Sequence, residues 1–198
     1  MRAKIRNTEI YFDVDGMGLV PDGEQMVERP VLFLLHGGPG GDHTGFKSTT
    51  AALRDVAQLV FLDHRGCGRS AEGDPASYTM DNNIEDIDAL REHLGLNRIS
   101  VLGSSYGGMV AQGYALRYPE RVANLVLVVT APSYRFLDDA KAYLNEHGTA
   151  DQKRVAQRLW DANFQNMDQL REFFEQSFRG WRRLKRGFDH PAGFVQPP

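Results

Sequence analysis

The residues Gly103-Ser104-Ser105-Tyr106-Gly107 follow the apolar run Ile99 to Leu102 and open a stretch of helical spacing that ends before Pro119. They match G-x-S-x-G, a turn that holds a serine in a strained conformation with its hydroxyl exposed between a strand and a helix. Side chains at either glycine would collide with the neighbouring strand and helix, which is why glycine is needed there. Attack by Ser105 on a carbonyl creates an oxyanion, which needs fixed N–H donors. The Tyr106 backbone N–H, at the start of a helix and aided by its dipole, supplies one. A second comes from "HGGPGG", His36 to Gly41, after the apolar run 31–35, with Gly38 as the expected donor. Pro39 has no N–H to give. Each such donor is worth roughly 10² to 10³ in rate. The bland alternative is a tight turn with packing glycines and an incidental serine.

Two further readings narrow the chemistry. The His36 turn lacks the Gly-Lys-Ser/Thr ending of a phosphate-binding loop and the G-x-G-x-x-G of a dinucleotide site, which argues against nucleotide binding. A third glycine-rich segment, "DHRGCGRS" from Asp63 to Ser70, reads as structural, with Asp63 and Arg65 tying a loop together. His36 shapes its turn by hydrogen bonding in this reading. His64 is a weak candidate for a base.

The elements that position these motifs alternate between two periods. Ala3 to Val14 alternates like an antiparallel hairpin at a sheet edge, and "DGMGLVPDGE" after it reads as a turn-rich loop. The runs 31–35, 59–62, 99–102 and 124–129 are almost purely apolar, as in strands buried on both faces. Between them lies helical spacing, such as Met80, Ile84, Ile87, Leu90 and Leu94, ended by Gly95. Strands alternating with helices give an open α/β sheet, in which chemistry gathers at the carboxyl ends of the strands. All three glycine-rich motifs sit there.

Composition sets the outer limits. The chain has 198 residues, 23 basic against 26 acidic, and a net charge of −3. That length suits one full core, and the charge balance gives no field that would attract nucleic acid or an anionic membrane. Cys67 is the single cysteine, which excludes an internal disulfide and a cysteine-based metal site and suits a reducing compartment. No apolar leader and no run of membrane-spanning length is present, so the expectation is a soluble cytoplasmic protein.

In order and spacing, "HGGPGG", "DHRGCGRS" and "GSSYGGMVAQGYALRYPE" resemble the α/β-hydrolase fold, and specifically the proline iminopeptidase family of serine hydrolases, over about Ile5 to Ala131. The resemblance implies a mostly parallel sheet with flanking helices and a helical cap, Ser105 as nucleophile, and Gly38 and Tyr106 as oxyanion donors. It implies hydrolysis of a small peptide, amide or ester through an acyl-serine, release of N-terminal residues being the family's activity, with esters and lactones as alternatives. Acyl transfer through serine needs no metal or organic cofactor. Serine at the elbow argues against the epoxide hydrolase and haloalkane dehalogenase relatives, which carry aspartate there.

The domain reading is 1–131 for the core, 132–186 for the cap, and 187–198 for an irregular tail. Phe136, Tyr143, Leu144, Leu159, Trp160, Phe164, Leu170, Phe173 and Phe174 either line a substrate pocket or, more simply, bury the cap's own core. The family's triad acid and histidine follow two further strands that this sequence lacks. His147 falls in expected helix and His190 in a Pro/Gly-rich tail beside Asp189, so no triad acid or histidine is assigned. Arg179, Arg182, Arg183, Lys185 and Arg186 make the tail basic. The reading is a hydrolase truncated or frame-shifted near residue 178, with a catalytically incomplete fragment or non-catalytic binding module as the second class. A sheet lacking its last strands leaves an edge through which the chain self-associates.

Overall fold

The structure, a computed structural model, describes residues 1–177 apart from Pro39, Ala162, Met167 and Leu170. The expectations for Leu170, for the end of the cap range and for the tail with Asp189 and His190 fall outside the described residues. The chain divides into two compact units, Met1–Ser133 and Tyr134–Pro198.

The first unit is built on a six-stranded sheet. Strands β1 (Arg2–Ile5) and β2 (Thr8–Asp15) form the antiparallel hairpin that their alternation predicts. Strands β3 (Leu19–Asp22) and β4 (Gln25–Glu28) form a separate two-stranded hairpin where the sequence reads as loop. Their four-residue length and mostly exposed side chains hide the strand signal, and Gly23, at φ 61°, makes the turn. The apolar runs become β5 (Val31–Leu35), β6 (Gln58–Leu62), β7 (Ile99–Ser104) and β8 (Val122–Val128), with the short helix α1 (Thr44–Thr49) between β5 and β6. The order is β1-β2-β6-β5-β7-β8, with β6, β5, β7 and β8 parallel and β2 antiparallel to β6.

Both faces of β5 are buried, which explains its unbroken apolar run. Phe33 and Leu35 pack with Ile84, Ile87 and Leu90 of helix α2 (Met80–His93) and Val110, Ala111 and Tyr114 of helix α3 (Tyr106–Arg117). Leu32 and Leu34 face the other way, onto Leu59, Phe61 and Leu102 and the partly buried Phe46 and Leu53. Thr79 caps α2, its hydroxyl accepting from the Asn82 N–H at 3.2 Å. Strand β8 departs from expectation. It pairs with β7 alone among the described residues, and Leu125, Val126, Leu127 and Val128 are 38% to 43% exposed. Its apolar run resembles the others because periodicity cannot tell a central strand from an edge strand.

The second unit is helical in its described part, with Phe136–His147 and Ala150–Trp160 as its two bounded helices and 171–177 also helical. Thr149 and Gln152 close a reciprocal capping box at the start of the latter helix. Phe164, Phe173 and Phe174 stack edge to face at 5.5 to 5.7 Å between centroids, so these aromatics pack on one another.

Candidate active site

The elbow forms at the junction of β7 and α3. Ser105 sits between them at φ 54° and ψ −120°, a conformation that costs a non-glycine residue about 1–3 kcal/mol. The surroundings hold it there. Its N–H donates to the Val128 carbonyl at 3.0 Å, and its own carbonyl accepts from the Gly108 N–H at 3.0 Å and the Thr130 hydroxyl at 2.7 Å. The flanking glycines permit the close approach: a Cβ on Gly103 would lie 2.3 Å from the Gly107 carbonyl oxygen, and one on Gly107 would lie 2.1 Å from that of Leu35. The collisions foreseen from sequence are therefore with the strand and helix expected.

The His36 turn lies against this elbow. A Cβ on Gly37 would stand 3.2 Å from Ser105 Cβ and 3.3 Å from the Ser104 carbonyl oxygen. Gly38 follows at φ 149°. Tyr106 begins α3, so its N–H is one of the donors that a helix leaves unpaired at its start. Ser105, Gly38 and Tyr106 thus belong to one corner, at the carboxyl ends of the adjacent strands β5 and β7.

Around the corner runs a buried polar frame. His36 Nε2 accepts from the His64 backbone N–H at 3.0 Å, which leaves Nδ1 as the donor to the Gly37 carbonyl at 2.8 Å. The Asp63 carboxylate accepts from the His43 N–H and Nδ1, both at 2.8 Å, and from the Arg69 N–H at 2.9 Å. Arg65 donates to Asp86 through two bonds of 2.6 Å, with both side chains 2% exposed. The structural reading of the Asp63 segment holds: it ties its own loop, the His36 turn and α2 together.

Sequence reasoning missed the His43–Asp63 pair. It has the form of a base and its orienting carboxylate, yet the His43 ring stacks near Tyr11 at 5.2 Å, and Asp63 follows β6, on the far side of β5 from β7. Nothing in the sequence links His43 to a carboxylate 20 residues away. Full burial, with His36 beside it, pushes the His64 pKa down to about 3, so its ring is neutral. His64 packs edge-on to the Tyr106 ring at 5.9 Å. His93 and His147 end helices of their own, and among the described residues no histidine is hydrogen-bonded to Ser105. Among those residues, too, no cluster of His, Cys, Asp or Glu could hold a metal ion, and no helix is long and apolar enough to cross a membrane.

Known proteins resemble this chain in sequence and fold. A proline iminopeptidase of Clostridioides difficile is 33% identical over 159 residues, covering 77% of this chain and 54% of that protein. One from Lactobacillus helveticus is 41% identical over 110 residues, 54% of this chain and 37% of that protein. The chain therefore spans about half the length of the first relative and less of the second. Among solved structures, the proline iminopeptidase of Mycobacterium smegmatis superposes with a TM-score of 0.67 at 24% identity, over 92% of this chain and 60% of that one. A proline iminopeptidase-related protein of Thermus thermophilus gives 0.65 at 26% identity, over 96% and 66%. The profile of the alpha/beta hydrolase fold family matches residues 30–189, and with a strained serine between strand and helix at the heart of that stretch, the chain belongs to this family.

Proposed function

We propose that Ser105 is the nucleophile of a hydrolase that cleaves peptide, amide or ester bonds through an acyl-serine, most like a proline iminopeptidase releasing an N-terminal residue. The observation that carries this reading is Ser105 at φ 54° with the His36-Gly37 turn packed against its side chain. In the proposed reaction the Ser105 hydroxyl gives its proton to a general base as Oγ bonds to the substrate carbonyl carbon, the carbonyl oxygen takes the negative charge, and the base hands that proton to the leaving group. The N–H groups of Gly38 and Tyr106 receive that oxygen, the latter with the positive end of α3 behind it. The tetrahedral species collapses, expelling the amine or alcohol with a proton, and water then releases the acid and restores Ser105. The likeness to proline iminopeptidases favours a small peptide or amide substrate. The single Cys67 suits the cytoplasm, and residues 132–186 are read as the cap and 1–131 as the core.

A second reading rests on the absence of any histidine hydrogen-bonded to Ser105 among the described residues. In it, the chain is an elbow without its base, a catalytically incomplete or binding module. Hydrolysis of prolyl and other aminoacyl p-nitroanilides, and of p-nitrophenyl esters, separates the readings. Turnover abolished by Ser105→Ala supports the nucleophile. Preference for anilides with a free amino terminus supports an aminopeptidase, and turnover of esters alone supports an esterase. Rates equal to those of Ser105→Ala support the module.

A further inference from the structure

Beside the His36 turn, the first unit holds a cavity of about 140 Å³, lined in part by His36, His64, Cys67, Tyr78, Asn83 and Tyr106. Two of these side chains bring polar atoms that have no hydrogen-bond partner among the described residues. Among the described residues, His64, 2% exposed, has no partner at Nδ1 or Nε2, and Asn83, 5% exposed, has none at Oδ1. Leaving such a buried atom unmet is costly, and buried polar groups nearly always have a partner. Three around one cavity mark a site.

The atoms also specify what fits. Asn83 Oδ1 accepts, and a neutral His64 ring offers one donor and one acceptor. Tyr106 Oη already accepts from Asn83 Nδ2 at 2.9 Å, so its proton is available to give. The cavity presents no unpaired charge, because the Arg65 guanidinium that borders it is paired with the Asp86 carboxylate through two hydrogen bonds. A charged ligand would therefore be buried without a counter-ion, at high cost. At about 30 Å³ per water, the volume holds roughly four waters or one molecule of a few heavy atoms, well below the roughly 300 Å³ where drug-sized pockets begin.

We propose that this cavity is a binding site for a small uncharged group carrying a hydrogen-bond donor and acceptor on neighbouring atoms, either ordered water or a primary amide. The occupant bridges His64 to Asn83 and steadies the ring of Tyr106, the residue that opens α3. The site stands whether or not Ser105 turns over substrate.

Crystal structures of the whole chain, grown with and without acetamide, test it. Density is expected within hydrogen-bond distance of a His64 ring nitrogen and Asn83 Oδ1. Round density in both crystals assigns the site to water, and planar density with acetamide assigns it to amides. His64→Phe, which removes the ring nitrogens, should lose that density, and Asn83→Leu provides the same test if His64→Phe does not fold. A cavity without density, or a His64 ring turned onto a protein partner, overturns the proposal.

Discussion

The His64 backbone N–H donates to His36 Nε2 across 3.0 Å, and so fixes which nitrogen of His36 carries its proton. A doubly protonated His36 would set its Nε2–H against the His64 N–H and lose that bond. Burial already holds the His36 pKa below 6.5, and that of His64 at about 3. Below about pH 6.5 the unfolded chain binds protons that the folded chain refuses. Stability from these rings is thus fully present above 6.5 and declines as pH falls, by up to about 1.4 kcal/mol per pH unit for each histidine. Urea unfolding at neutral and mildly acidic pH measures this slope, and His64→Phe should reduce it. Equal stability at both pH values would contradict the buried neutral pair.

Gly107 and Gly45 offer opposite outcomes for one substitution. A Cβ on Gly107 would lie 2.1 Å from the Leu35 carbonyl oxygen, and that oxygen belongs to a central strand that cannot yield. Gly107→Ala should cost about 1–3 kcal/mol or more and displace the elbow. Gly45, in the short helix Thr44–Thr49, has nothing within 4 Å of the same position. Gly45→Ala should stabilise by about 0.4–1 kcal/mol through the unfolded chain. Thermal melts of the two variants give the sign directly, and a tolerated Gly107→Ala would refute the packing of α3 on β5.

We also propose that the outer edge of β8 drives self-association, since its backbone pairs only with β7 among the described residues and four successive apolar side chains are about two-fifths exposed. Light scattering should show the mean mass rising with concentration, and Leu127→Lys should lower it. A monomer at every concentration would count against this edge.

The core and the elbow were legible in the sequence because they are local. Val31–Leu35 and Ile99–Ser104 announce buried strands by unbroken apolarity, and Gly103 to Gly107 fix the turn within one short segment. The exposed hairpin at Leu19 to Glu28 was not legible, since strands packed against little carry no periodic apolar signal. Nor were the polar partnerships that frame the site. His43 with Asp63, Arg65 with Asp86, and Asn83 with Tyr106 join residues 20 to 23 positions apart through the fold alone. An open sheet edge was expected, but the exposure of Leu125 to Val128 on β8 was not, because their composition is that of a strand buried on both faces.

The most direct test of Ser105 as nucleophile is labelling of the folded chain with a fluorophosphonate, the adduct being located by peptide mass. The account predicts phosphonylation of Ser105 and none in Ser105→Ala. A folded chain that takes no adduct at Ser105 would contradict it, and would leave an intact elbow without the means to use it.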